Sequence, residues 1–165
     1  MNYMDREFLY IVKDILRLEE FQKLKDVSHH GISRYEHSIR VAYFSYKIAK
    51  MLRLDYRETA EAALLHDFFI DDVDMENSIG KLRRHPMCAV NNASKYFNLT
   101  DKQIDIISTH MFPVTFTPPR YMESWIVDFV DDCSAVYEKF YSIRRELSTA
   151  SVFLLVLLIN YIKMR

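Results

Sequence analysis

The sequence predicts an all-α fold, a compact single-domain bundle of about seven helices over residues 1–165. The whole chain has two glycines and four prolines, and all-β proteins need many more turn residues than that. Apolar residues also recur at the i, i+3, i+4, i+7 spacing of a helix, most clearly between residues 39 and 52. Half of the residues are hydrophobic, which is enough for a substantial core.

The helix boundaries follow from caps and breakers, with errors of about two to four residues expected at each end. Ser33 and Thr100 are predicted N-caps, and Gln103 completes a capping box with Thr100. Pro86 is expected in the first turn of its helix, where a proline is tolerated. The predicted helices cover residues 5–25, 33–53, 56–68, 86–97, 101–110, 119–141 and 147–163, with the longest connections at 69–85 and 111–118.

The C-terminal helix, predicted over 147–163, contains the nearly continuous apolar run 150–162. A membrane-spanning helix needs about 20 apolar residues, whereas runs of 10–14 are usually buried helices. We therefore expect a packed terminal helix or a dimer face, so that a homodimer is left open. Membrane attachment is the less favoured interpretation.

The charge balance and the cysteines argue for a cytoplasmic protein without a nucleic-acid partner. Basic residues number 22 and acidic residues 23, so the chain lacks the basic excess that nucleic acids or anionic membranes require. Cys88 and Cys133 are too few for a disulfide framework. The N-terminus also lacks the basic and small-residue pattern of a signal peptide.

The most informative feature is the doublet His66-Asp67, which closes the apolar stretch 60–65. Imidazole and carboxylate are ligands that suit iron, manganese, zinc, nickel or cobalt, and the two oxygens of Asp67 could also bridge to a second ion. The acidic cluster downstream is spaced at i, i+3 and i+4, so one of its members can face inward. The ordered series is completed by His37, His85, His110 and the acidic cluster of Asp128, Asp131 and Asp132.

This series resembles the HD-domain superfamily of metal-dependent phosphohydrolases. The resemblance extends over residues 33–140, through YEHSIRVAYFSYKIAKML, AALLHDFF, RHPMCAVNNASKYF, DIISTHMFP and IVDFVDDCSAVYE. His85 and His110 would correspond to the additional pair of histidines seen in the binuclear members, and Asp67 would bridge the two ions. The resemblance implies two divalent metal ions held by His37, His66, Asp67, His85, His110 and Asp131. Asp131 is preferred because VDDCSAV aligns best with the family's last motif, while Asp128 and Asp132 stay open.

The resemblance also implies hydrolysis of a phosphate ester or anhydride, in a nucleotide or another small phosphorylated metabolite, by metal-activated water. Asp67 would be the catalytic residue as a ligand and orienter rather than as a free nucleophile. Asp71 or Asp72 could assist proton transfer, although a surface carboxylate is the favoured interpretation of either. His29 and His30 are expected in a loop near the pocket mouth.

The segment after the doublet departs from the family pattern, because Phe68-Phe69-Ile70-Asp71-Asp72 contains neither the glycine nor the lysine of many members. The Phe68-Phe69 pair is expected in the core, and the edge of the pocket is expected to be aromatic and acidic. Phosphate charge would then be met by the metals and by nearby cations. Arg34 and Arg84 are our candidates for substrate binding, ahead of Lys81, Arg83 and Arg120.

Two other functions use the same residues. Di-iron oxygenases of the superfamily share the six-residue series and bind O₂ at the metal pair. A non-catalytic HD module that binds a nucleotide is the other alternative. If His85 or His110 were more than about 8 Å from the primary site, outside the spacing of two-metal centres, a mononuclear enzyme or this module would be favoured.

Overall fold

The computed structural model describes residues 5–29, 32–69 and 78–163, and the regular secondary structure in this part of the chain is helical apart from one short hairpin. The hairpin pairs β1 (Ser28–His29) with β2 (Ile32–Ser33) in antiparallel register. The all-α fold class is therefore confirmed. The helices are α1 (Arg6–Arg17), α2 (Glu19–Gln22), a 3₁₀ turn (Lys23–Asp26), α3 (Arg34–Met51), α4 (Tyr56–Leu65), α5 (Ser78–Ala93), α6 (Asp101–Thr109) and α7 (Met122–Lys163).

Side-chain caps define where the helices begin. The Ser33 hydroxyl accepts a hydrogen bond from the Glu36 amide, and the Glu36 carboxylate accepts one from the Ser33 amide. Thr100 and Gln103 form the same reciprocal box at the start of α6. These caps satisfy amide groups that lack partners inside the helix, and both predicted N-caps are confirmed.

The core lies around α4, which packs against α1, α3, α6 and α7. Three alanines, Ala60, Ala62 and Ala63, are fully buried and allow the neighbouring helices to approach closely. Larger side chains fill the space on either side of them. The fully buried large side chains include Phe8, Phe21, Leu24, Tyr46, Leu64, Ile106 and Ile107.

Two of the predicted helices have other boundaries in the structure. The helix predicted over 5–25 is broken at Leu18, whose extended backbone redirects the chain so that Phe21 is buried. Helix α5 begins at Ser78, so Pro86 lies inside the helix rather than in its first turn. A proline in a helix interior costs one backbone hydrogen bond, and α5 tolerates it.

The two helices predicted over 119–141 and 147–163 form the single helix α7. The five residues between them are Ser-Ile-Arg-Arg-Glu, which contain no glycine or proline to end a helix. The helix therefore continues for 42 residues. In the part of the chain that the structure describes, no helix has the length and apolarity that crossing a membrane requires.

Candidate metal centre

Six side chains from five separate segments meet at one end of the bundle. His37 lies in the first turn of α3, and His66 and His110 are the C-terminal cap residues of α4 and α6. Asp67 follows His66 directly, and the remaining two residues come from α5 and α7. Five of the six are buried and His85 is half-buried, the set being His37, His66, Asp67, His85, His110 and Asp131.

One half of the cluster is centred on Asp131. Its Oδ1 atom lies 2.8 Å from His37 Nε2 and 3.5 Å from His66 Nε2. The candidate ligand atoms of His66, His110 and Asp131 all lie within 4.8 Å of one another, as do those of His37, His66 and Asp67. These spacings suit several ligands around one ion.

The other half is centred on Asp67. Its Oδ1 atom lies 3.5 Å from His85 Nε2 and 3.8 Å from His110 Nε2. The two imidazole Nε2 atoms are only 2.8 Å apart. Asp67, His85 and His110 form a third group that could hold a metal ion, so neither histidine lies at the distance that would favour a mononuclear site. Asp67 belongs to both halves, which is the placement expected of a bridging carboxylate.

The imidazole rings of His66 and His110 are oriented in the same way by their helices. In each ring Nδ1–H donates to the backbone carbonyl three residues earlier, at Ala63 and Ile107, across 2.7 Å. With the proton on Nδ1, the lone pair on Nε2 faces the cluster, and such backbone contacts commonly fix the tautomer of metal-binding histidines. His66 Nε2 is buried and makes no hydrogen bond. The residues therefore fit a divalent metal ion.

The charges of the cluster are divided between its two halves. Burial alone lowers the pKa of His37, but its hydrogen bonds to Asp131 and Glu138 raise it to about 10. Burial would raise the pKa of the Asp131 carboxyl, yet His66 and His37 hold it well below its usual range. Burial, with His66 and His85 beside it, lowers the pKa of His110 to about 3. His110 is therefore a neutral imidazole with an available lone pair.

A seventh residue, Glu138, was missed by the sequence analysis. Its carboxylate accepts a hydrogen bond from His37 Nδ1 across 2.9 Å and also pairs with Arg40, and it is buried. Glu138 follows Asp131 by seven residues, which is two helical turns, so both side chains lie on one face of α7. That spacing was the signal available in the sequence.

The other members of the acidic cluster lie elsewhere. Asp132 is exposed. Asp128 is buried, but it belongs to none of the candidate ligand groups among the described residues, and its Oδ1 atom has no hydrogen-bond partner. Burial, with Asp132 and Asp131 nearby, raises the pKa of Asp128 to about 7. Of the three carboxylates, Asp131 is thus the one brought to the histidines.

Arg34 lies beside the cluster and is the one buried Lys or Arg among the residues whose burial is described. Its Nε atom lies 3.7 Å from Asp67 Oδ2 and makes no hydrogen bond. Another guanidinium nitrogen donates to the Phe69 carbonyl across 2.6 Å, and the group stacks 3.9 Å from the centre of the Phe69 ring. The Phe69 ring in turn stacks on His85. Arg34 therefore holds an N–H group free of hydrogen bonds next to Asp67.

The remaining candidate residues are exposed, make other contacts or lie outside the described part of the chain. Arg84 is exposed, Arg83 donates to the Val114 carbonyl, and Arg120 pairs with the buried Asp105. Phe68 and Phe69 are buried, as expected. His29 lies in strand β1 rather than in a loop, because its backbone pairs with Ile32. His30, Asp71 and Asp72 lie outside the described residues, and so does the side chain of Lys81.

A helical bundle with a buried cluster of histidines and aspartates is an arrangement that can hold metal ions. The HD domain profile matches residues 34–136, which is more than half of the chain. The chain therefore belongs to the HD domain family, whose members are metal-dependent hydrolases that bind divalent metals.

Two curated relatives match as well, and both carry the name Ribonuclease Y. They come from two strains of Ureaplasma parvum serovar 3 and are each 27% identical over 135 residues. The alignment covers 77% of this chain but 27% of each relative, so the chain spans about a quarter of their length. No solved structure matches the chain significantly.

Proposed function

We propose that the chain is a phosphohydrolase that cleaves a phosphoester or phosphoanhydride bond in a nucleotide or another small phosphorylated metabolite. The observation that carries the proposal is the position of Asp67, whose Oδ1 faces His85 and His110 while Oδ2 faces Arg34. The Asp67 carboxylate thus lies between the candidate metal ligands and Arg34. The buried positive charge of Arg34 suits an anionic substrate.

The ligand set would hold two ions. His37, His66, Asp67 and Asp131 would hold the first, and Asp67 would share the second with His85 and His110. Imidazole and carboxylate ligands suit iron, manganese, zinc, nickel or cobalt. When bound, a pair of such ions activates water and neutralises negative charge that develops on phosphoryl oxygens.

The chain's own residues would position and hold the substrate. The Nε–H of Arg34 makes no hydrogen bond, and it can donate to a phosphoryl oxygen beside Asp67. A charge-assisted hydrogen bond of this kind is stronger than a neutral one. Arg84, which is exposed and directly precedes His85, would be a second contact to the substrate. Asp67 would act as the orienting ligand, with its second oxygen held towards Arg34.

The name of the two curated relatives makes an RNA phosphodiester the second candidate substrate. Proteins that bind RNA or DNA owe much of their affinity to clustered Lys and Arg side chains. The formal net charge of this chain is −1. The charge balance therefore favours the small substrate, and both classes belong in the same assay.

The test is a hydrolysis assay on the full chain purified without chelator and supplied with manganese or ferrous iron. The substrates are nucleoside mono-, di- and triphosphates, a nitrophenyl phosphodiester and a single-stranded RNA oligonucleotide. Release of phosphate or nitrophenol that is lost in Asp67→Asn supports the proposal. Cleavage of the RNA alone would transfer the proposal to the second substrate class.

Two outcomes contradict the proposal. Protein that holds metal but cleaves no substrate in the panel would be a binding module. Protein that consumes O₂ with ferrous iron and releases no phosphate would be an oxygenase. Arg34→Gln and Arg84→Gln compare the two proposed substrate-binding cations, because Arg34 is buried whereas Arg84 is exposed.

A further inference from the structure

The exposed face of α7 carries a regular apolar stripe, which we call the α7 seam. Its described members are Phe129, Cys133, Val136, Phe140 and Ile143, and all five are exposed. They follow one another at steps of four, three, four and three residues, which is the heptad spacing of a coiled-coil seam. A monomeric protein rarely exposes a continuous apolar surface of this kind.

The same spacing continues along the sequence while the backbone stays helical to Lys163. The next positions in the series are Leu147, Ala150, Leu154, Leu157 and Tyr161. Between residues 143 and 150 apolar residues occur only at the seam positions, because residues 144–146, 148 and 149 are all polar. A heptad pattern sustained over more than about four heptads is typical of helices that pair with another helix.

The α7 seam is separate from the face of α7 that packs on the domain. Val127, Val130, Asp131, Ser134 and Glu138 are buried on that other face. Covering the seam therefore needs no change at the candidate metal centre.

A groove beside the seam leaves room for side chains of a second helix. Its volume is about 630 Å³, and it lies between α3 and α7. Phe44 and Ile48 line it from α3, and Phe129, Cys133 and Tyr137 line it from α7. The α7 seam and the groove thus lie side by side on one surface. In a two-fold interface the same surface of both chains is used, so the seam of each copy can face the groove of the other.

We propose that the α7 seam is the interface between two copies of this chain, whose α7 helices pack antiparallel across a two-fold axis. Phe140 of each copy packs against Ile143 of the other, and the partner's helix covers the groove between α3 and α7. The two copies bury the same residues, so the interface closes and forms a dimer rather than a filament.

The charges that flank the seam favour the antiparallel direction. Lys139 and Glu146 each precede a seam position, and Arg144 follows one. With Phe140 opposite Ile143 of the partner copy, Lys139 is placed near Glu146 of that copy, and the pair forms twice. A parallel dimer would instead place Lys139 near Arg144 of the partner, and like charges at these positions oppose pairing.

The first experiment is sedimentation of the full chain over a range of concentrations, compared between Phe140→Glu and Tyr141→Glu. Both residues are exposed aromatics on α7, but only Phe140 belongs to the seam. We expect the wild type and Tyr141→Glu to be dimers and the dissociation constant of Phe140→Glu to rise at least about tenfold, because a charge is placed in the apolar seam.

A charge exchange tests the direction of the helices. Lys139→Glu should weaken the antiparallel dimer, and the double variant Lys139→Glu/Glu146→Lys should restore it. A stronger dimer in Lys139→Glu would indicate parallel helices and overturn the proposed arrangement. A wild type that stays monomeric up to its solubility limit would overturn the interface itself, as would a seam that binds neutral lipid vesicles in place of a second copy. Circular dichroism of each variant checks that the helices are retained.

Discussion

His37 donates its Nδ1–H to the Glu138 carboxylate across 2.9 Å, although the two residues lie 101 positions apart in the sequence. This bond joins the first turn of α3 to the middle of α7. It also turns the opposite ring nitrogen, Nε2, towards Asp131 at 2.8 Å. A carboxylate that holds the outer nitrogen of a histidine orients the ring and increases its basicity as a ligand.

Replacing Glu138 should therefore weaken metal binding without removing a ligand. We expect Glu138→Ala to lower metal affinity about 10- to 100-fold, the range typical of such outer contacts. Glu138→Gln should recover part of the loss, because its amide oxygen can still accept the bond from His37. The measurement is calorimetric titration of chelator-treated protein with manganese or zinc. Equal affinities in Glu138→Ala and the wild type would show that the contact does not serve the metal.

The metal content should fall when the second half of the cluster is removed. In His110→Ala the pair formed by His85 and Asp67 lacks its third member, and we expect elemental analysis to find about one ion per chain in place of about two. His85→Ala should behave in the same way. An unchanged content of about two ions in both variants would contradict the proposed ligand set.

Two neighbouring carboxylates on α7 provide a matched comparison. Asp131 lies 2.8 Å from His37 Nε2, whereas Asp128 is buried one turn away and belongs to none of the ligand groups found among the described residues. Asp131→Asn should lose most of its bound metal, and Asp128→Asn should keep it. Elemental analysis of both variants decides the assignment, and metal loss in Asp128→Asn alone would transfer the role to that residue.

Replacing Arg34 should lower kcat/KM for the substrate without lowering the metal content. Removing a charged hydrogen-bond partner costs about 1.5–3 kcal/mol, so Arg34→Gln should lower kcat/KM roughly 10- to 100-fold while metal content stays constant. Arg84→Gln should have a smaller effect that fades as salt is added, because exposed charges are screened. Steady-state kinetics at two salt concentrations tests both. Arg34→Gln with unchanged kcat/KM would remove this residue from the binding site.

The local signals in the sequence were sufficient to predict the caps, whereas the residues of the cluster were predicted from the resemblance to the HD-domain superfamily. Ser33 and Thr100 act within one turn, so their neighbours in the sequence are their partners in the structure. Glu138 was missed because its partner His37 is brought close only by the packing of α3 on α7. The break at Leu18 was missed for a related reason, since the burial of Phe21 depends on contacts made elsewhere in the fold.

Asp128 has a further consequence for stability, because its carboxyl group is buried without a hydrogen bond at Oδ1. Burial and the nearby Asp132 and Asp131 raise its pKa to about 7 in the folded chain. An aspartate in the unfolded chain has a pKa of about 3.9. Between these values the folded state retains a proton that the unfolded state has lost. The free energy of unfolding should therefore decrease as the pH rises through this window, and it should stay low above it.

The variant Asp128→Asn removes this titration while keeping the size of the side chain. We expect its melting temperature, relative to the wild type, to be higher at about pH 8 than at about pH 4, since only the ionised carboxylate carries the penalty. The comparison uses chelator-treated protein, so that metal binding does not contribute, and Asp14→Asn on α1 is the exposed control. A difference between Asp128→Asn and the wild type that is the same at both pH values would show that Asp128 titrates alike in the folded and unfolded chains.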